Sequence, residues 1–310
     1  MRLRSLTTTV VVAMALTACG SSADDTEAAA RSGSTETRFV DHVLGSTEVP
    51  VDPQRVVTLD SPHLDTALSL DVTPVGSVQS DVSTGFPEYL GQQTKGIEVV
   101  GTIDEPDLEA LAALEPDLIL SSSVRHEAIY DQLSQIAPTV FTDYEDGWRA
   151  MFTTTADALN RTAQGTEALD RYDARVDTVS KAVGAEGASA SIVRFLPEET
   201  RLYGPETFSG SVLTDVGFTL PQLSYDEYSM AYISAEQIAQ ADADVVFSTT
   251  YGAPDETTKS SVTAVWNFLD AVPGCVFEVD DDEWMLGIGL LGAEVVLEDI
   301  ETSLTGTACL

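Results

Sequence analysis

The sequence predicts an α/β protein of two related lobes with one long helix running between them. Three observations predict it. Two distant stretches follow one design: Asp107-Leu-Glu109-Ala-Leu-Ala-Ala-Leu-Glu-Pro-Asp117-Leu-Ile-Leu120 and Ser234-Ala-Glu236-Gln-Ile-Ala-Gln-Ala-Asp-Ala-Asp244-Val-Val-Phe247. Each opens on a helix-capping residue, carries a glutamate two places in, and meets an aspartate eight residues later before an apolar run. Repetition of this kind argues for two related lobes. Short apolar β runs also alternate with helical patterns of about 10–15 residues, the signature of βαβ units and a mostly parallel sheet. Finally, residues 148–183 hold neither a strand signal nor a proline.

The elements follow in order. Arg2 and Arg4 precede an apolar run, Val10 to Leu16, which is too short to span a bilayer. Leu16-Thr-Ala-Cys19 comes next and resembles the bacterial lipobox, after which the cysteine is lipidated and becomes the first residue. The expected leader is 1–18. Residues 19–37 are then the lipidated cysteine and a polar, disordered tether, since residues 20–37 show no apolar period.

Arg55–Leu59 reads as the first strand, Val72–Gly76 as the next, then Val99–Gly101 and Leu118–Leu120, in a first lobe spanning 38–147. Met151, Ala158, Leu159, Leu169, Tyr172, Val176 and Val179 give 148–186 a helical period, with Gly165 as a weak point. A helix of roughly 30 residues would reach about 45 Å. Ala190–Phe195 opens the second lobe, 187–310, which continues through Val245–Phe247 and Val276–Val279 and closes with a helix from Gly289 to Leu304.

Composition narrows the partners. Fifty-one acidic residues against 15 basic give a net charge of −36, and losing Arg2 and Arg4 with the leader leaves −38. Such a polyanion does not bind nucleic acid or anionic lipid through its general field, so membrane attachment rests on the lipid alone. Two cysteines remain after lipidation, Cys275 and Cys309. In an oxidising compartment they are candidates for a disulfide pinning the C-terminal segment to the second lobe.

Several segments together resemble one family. They are Pro53-Gln-Arg-Val-Val-Thr-Leu59, Pro116-Asp-Leu-Ile-Leu120, Ile136-Ala-Pro-Thr-Val140, Arg201-Leu-Tyr-Gly204 through Phe208 to Gly217, Tyr232-Ile-Ser-Ala-Glu236, and the stretch from Trp284 into the last helix. The family is the substrate-binding lipoproteins of iron–siderophore ABC importers, with haem and cobalamin relatives, and the resemblance covers nearly everything after residue 38. It implies two Rossmann-like lobes joined by a single long α-helix, with the ligand cleft between the lobes. It also implies a monomeric receptor, carrying a palmitate-type anchor, that hands a ferric siderophore to a permease dimer and its ATPase. Iron arrives with the ligand, so no resident cofactor is expected. Glu109 and Glu236 take the positions of the family's docking glutamates, one per lobe, that pair with permease arginines.

The cleft should be built from loops at the carboxyl ends of strands. A bulky ferric complex calls for arginine and aromatic rings. Arg194 and Tyr203 are the leading candidates, followed by Arg201, Arg125, Trp148, Trp284 and His63, with Tyr251 last. As a cleft residue, Arg194 mutated to Ala is expected to weaken an anionic ligand by about 1.5–3 kcal/mol with little change in stability. His42, His63 and His126 lack metal-ligand spacing, and no nucleophile elbow, P-loop or Cys-His pair is present, so neither a metal site nor an enzyme is expected. Asp280-Asp-Asp-Glu283 reads as a solvated charge run. The alternatives are haem or a corrinoid as ligand, and an adhesion or signalling lipoprotein on the same fold.

Overall fold

The computed structural model describes residues 36–80, 85–266 and 275–310; the leader, Cys19 and nearly all of the expected tether lie outside them. A hairpin comes first, β1 (Thr37–His42) paired antiparallel with β2 (Gly45–Pro50). The first sheet then assembles from β3 (Val56–Thr58), β4 (Gly76–Gln79), β5 (Glu98–Thr102), β6 (Leu118–Ser122) and β7 (Thr139–Thr142). Its order is β5-β4-β3-β6-β7 and every pairing is parallel. Helices α1 (Ser61–Ser69), α2 (Leu108–Ala113), α3 (Ser123–His126) and α4 (Tyr130–Ile136) connect these strands. The second sheet comprises β8 (Ala190–Phe195), β9 (Thr200–Tyr203), β10 (Met230–Ile233), β11 (Val245–Thr250) and β12 (Val276–Glu278), in the order β10-β9-β8-β11-β12. Here β9 runs antiparallel to both neighbours. The turn between Phe195 and Thr200, closed by Leu196 N–H donating to Glu199 O at 2.9 Å, is far too short for a parallel crossover.

The repeat has a structural counterpart. In each sheet the opening strand lies beside the strand that follows the glutamate-bearing helix, β3 beside β6 and β8 beside β11. The aspartate heading the later strand clamps the start of the earlier one. Asp117 accepts the Gln54 and Arg55 N–H groups, both at 2.8 Å, and Asp244 accepts the Ser189 N–H and hydroxyl, both at 2.8 Å. The two helices differ in one respect. Asp107 caps the α-helical α2, receiving the Glu109 and Ala110 N–H groups at 3.0 Å, whereas Ala235–Ala241 winds as a tighter 3-10 helix behind a Ser234–Gln237 capping box.

The single helix expected over 148–186 is two helices, α5 (Trp148–Ala158) and α6 (Thr162–Val183). The break falls at Asn160, not at Gly165. Asn160 takes the left-handed conformation, φ 54°, and donates its side-chain amide to Val51 O at 2.9 Å. Asparagine tolerates that conformation better than most residues, and it ends α5 there. Gly165 sits inside α6, where a Cβ would stand only 3.0 Å from the Ala156 methyl, so it serves the contact between α5 and α6. At 22 residues α6 is about 33 Å long.

Period-two burial divides the cores. Val56, Leu118 and Leu120 face one side of the first sheet, and Ile192, Val245 and Phe247 one side of the second. All join a single cluster with α5, α6, α7 (Phe208–Val216) and α9 (Leu290–Leu304). Val57 and Ile119 face a separate core on the outer side of the first sheet, and Val193 and Val246 one on the outer side of the second. The last short helix, α8 (Lys259–Thr263), lies against this second outer core through Val262. A disulfide joins Cys275, just before β12, to Cys309, with Cα atoms 5.6 Å apart.

A hydrogen-bonded tie crosses between the lobes. Asp65 of α1, fully buried, accepts the backbone N–H groups of Leu291 and Gly292 at 2.9 Å each and the Tyr89 hydroxyl at 3.1 Å. It thereby caps the N-terminus of α9, whose own cap position, Gly289, has no side chain to do so.

Helix α1 also buries His63, and the two groups titrate in opposite senses. Burial, partly opposed by Asp60, pulls His63 down from 6.5 to about 4. Burial pushes Asp65 up from 3.8 to about 6, against the pull of its hydrogen-bond donors. The contribution of His63 is present above pH 6.5 and lost as pH falls towards 4. That of Asp65 is present below 3.8 and lost as pH rises through 6. Between pH 4 and 6 they offset each other, each changing stability by at most about 1.4 kcal/mol per pH unit. Relative to the parent, His63→Gln should make unfolding free energy fall more with rising pH in that window, and Asp65→Asn should make it rise more. Parental slopes in both variants would refute the assignment.

Candidate functional site

A cleft of about 670 Å³ opens between the lobes. On the first lobe its wall is built where β6 and β7 end. Val124 and Arg125 come from α3, Tyr144 and Glu145 from the turn after β7, and Trp148 and Met151 from the start of α5. On the second lobe Arg194 projects from β8, and Arg201 and Tyr203 from β9. Phe208 opens α7, Tyr228 and Met230 border β10, and residues 284–286 and 288 lead into α9. The position follows from topology, since open α/β sheets leave crevices beyond the carboxyl ends of their strands.

The arginines are not free. Arg194 donates from Nε to Asp281 Oδ1 at 2.8 Å, from Nη2 to Asp281 Oδ2 at 2.5 Å, and from Nη1 to the Tyr203 hydroxyl at 3.1 Å. Both charged side chains are about nine-tenths buried, and Thr249 donates to the same carboxylate at 2.9 Å. Burial opposes the charge on Arg194, but Tyr203 and Asp281 outweigh it, so its pKa lies above the ordinary arginine value. Arg201 donates from Nε to Glu199 at 2.6 Å and lies over the Tyr232 ring at 5.5 Å. Arg125 reaches Asp104 at 3.5 Å. It also borders a buried network in which Asp60 accepts the Ser122 hydroxyl at 2.6 Å and the Tyr144 hydroxyl at 3.1 Å. Burial, reinforced by Asp60, raises Tyr144 well above the usual phenol value.

Six of the eight residues proposed for ligand contact therefore border this cleft: Arg125, Trp148, Arg194, Arg201, Tyr203 and Trp284. Trp148 is only 5 % exposed, set edge-on to Tyr172 and Phe208, and presents a small part of its ring. Trp284 is completely buried. Its ring lies 4.7 Å from that of Phe247 and its Nε1 donates to Asp299 at 2.8 Å, so it backs the wall as a core residue. His63 does not face the cleft; it bonds Thr142 Oγ1 at 3.0 Å beneath α1, because the first turn of α1 points its ring inward. Tyr251 stands behind the wall, its ring centroid 4.9 Å from the Arg194 guanidinium carbon.

The acidic run at 280–283 is not simply solvated. Asp281 turns inward to Arg194, and Asp280 accepts the N–H groups of Asp282 and Glu283. Tyr144, Phe208, Tyr228 and the wall glutamates Glu145, Glu206 and Glu227 were not singled out as ligand contacts from the sequence. Tyr144 lies two residues past the end of β7, and reading that strand would have marked it. Glu109 and Glu236 are both exposed in the first turns of their helices, and Ser234 holds the Glu236 carboxyl below its ordinary value.

The comparisons with known proteins agree with this geometry. Residues 56–265 match the family model described as periplasmic binding protein. A probable siderophore-binding lipoprotein of Bacillus subtilis, YfiY, is 35% identical over 94% of this chain and 95% of its own. The achromobactin-binding periplasmic protein of Dickeya dadantii is 31% identical over 83% of this chain and 88% of its own. Among solved structures, Staphylococcus aureus SirA complexed with staphyloferrin B superposes with a TM-score of 0.77 at 31% identity, covering 86% of this chain and 98% of that one. The two-lobed α/β architecture, the cleft and the extent of these matches lead to one conclusion: the chain belongs to the periplasmic binding protein family.

Proposed function

We propose that the protein is an extracytoplasmic receptor that captures a ferric siderophore in the inter-lobe cleft and delivers it to an ABC permease dimer driven by its ATPase. One observation carries the reading: a cleft of about 670 Å³ with tyrosines, a tryptophan edge and arginines on its wall, within the roughly 300–1,000 Å³ common for small-ligand sites. The likeness to siderophore-binding relatives over nearly the whole chain supports it. Haem is the alternative ligand: tyrosines of the wall could serve as its axial ligand, so an absorbance shift on haem titration separates the two readings. The reading is of binding without catalysis by a monomer. Lipidation of Cys19 would hold the receptor at the outer face of the membrane, with Glu109 and Glu236 meeting permease arginines.

Tryptophan fluorescence tests the reading. Ferric siderophores should quench it saturably, with Kd below about 1 µM for the cognate ligand, and Trp148→Phe should remove much of the response. A folded protein that shows no saturable quenching, and no heat of binding, across a panel of ferric siderophores would overturn it.

A further inference from the structure

The charge on the cleft wall points to the kind of ferric complex it accepts. Each arginine there already faces an acid of its own: Arg194 with Asp281, Arg201 with Glu199, Arg125 with Asp104. Three further acids share the wall. Glu145 comes from the first lobe and Glu206 and Glu227 from the second; all are exposed and none makes an ion pair among the described residues. Cation and anion cancel pair by pair, and the glutamates remain. The wall is therefore electronegative despite its arginines, within a chain of net charge −36.

Ferric complexes differ in the charge they bring. Three catecholate dianions around one ferric ion leave the complex triply anionic, whereas three hydroxamate monoanions leave it neutral. An anionic complex would meet uncompensated carboxylates in the cleft, and like charges at close range oppose binding. A neutral complex meets no such penalty, and its apolar linkers suit Trp148, Phe208 and the methionines. We infer that this cleft takes a ferric hydroxamate complex, neutral or bearing a protonated amine, in preference to anionic ferric complexes. The inference rests on the ferric siderophore reading above.

A ligand series that varies charge alone tests it. Ferrioxamine B holds its iron through three hydroxamates and carries a free protonated amine. Acetylating that amine removes the charge, and succinylating it puts a carboxylate in its place, with the iron centre untouched. Kd from tryptophan quenching at low salt should rise from the amine to the acetyl to the succinyl form, roughly fivefold per unit charge. The spread should shrink at high salt. The triple variant Glu145→Gln/Glu206→Gln/Glu227→Gln, checked for parental melting, should flatten the series, and ferric enterobactin should bind the parent more weakly than ferrioxamine B. Tightest binding of the succinyl form, a flat parental series, or preference for ferric enterobactin would each overturn the inference while leaving siderophore capture intact. If no ferric complex binds the folded protein, the siderophore reading fails and this inference with it.

Discussion

Replacing Arg194 with alanine is expected to lower the unfolding free energy by about 3–5 kcal/mol, because Asp281 is left ionised and nine-tenths buried without its partner. For a chain of this size that corresponds to a fall in Tm on the order of 10 °C. The residue borders the cleft, and the sequence alone places its expected cost in affinity. The geometry moves that cost to folding: three of its nitrogens are engaged within the protein, two by Asp281 and one by Tyr203. A double-mutant cycle separates the effects. Arg194→Ala and Asp281→Ala should each destabilise, and Arg194→Met/Asp281→Leu should recover much of the loss, since apolar replacement of a buried pair is often neutral. An Arg194→Ala protein that melts with the parent yet binds ligand weakly would return the guanidinium to ligand contact.

Reversing both Glu109 and Glu236 to arginine should abolish ligand uptake in cells while leaving solution affinity at the parental value and lowering stability only slightly, through the loss of an acid from each first helical turn. Both side chains are exposed, and neither borders the cleft. Their helices are capped by other groups, Asp107 in one lobe and the Ser234–Gln237 box in the other, so the substitutions remove no cap. If permease arginines face these positions, reversal replaces attraction with repulsion, which acts more strongly than deletion. A single reversal leaves one lobe engaged and should reduce uptake only in part. Normal uptake by a folded, ligand-competent double variant would end the docking proposal.

Much of the fold was legible because it repeats. The Asp117 and Asp244 motifs marked the same junction in both lobes, and each aspartate makes the same clamp on the neighbouring strand. Strands β9 and β10 went unread because four residues each, with Arg201 and Tyr232 among them, give no clear alternation. The helix break was invisible for a different reason. Asn160 was a local stop signal that the uninterrupted apolar period masked, and its bond to Val51, 109 positions earlier, holds the left-handed turn. The site divides in the same way. Residue type near a strand end pointed to Arg194, Arg201 and Arg125, whereas the acid that neutralises Arg194 lies 87 positions away in a run that looks solvated. Pairing between distant charges leaves no local pattern to read.

The Asp65 cap on α9 has a kinetic consequence for the traffic of such a receptor. The residues just before α9 form part of the cleft wall, so the lobes are fastened behind the ligand as well as along α6. If that fastening holds when ligand binds, the outer face looks nearly the same with or without cargo. A partner that binds two forms equally cannot select between them by docking alone. Empty receptors would then compete with loaded ones at an importer in proportion to their numbers, and throughput would depend on how fully the receptor population is charged.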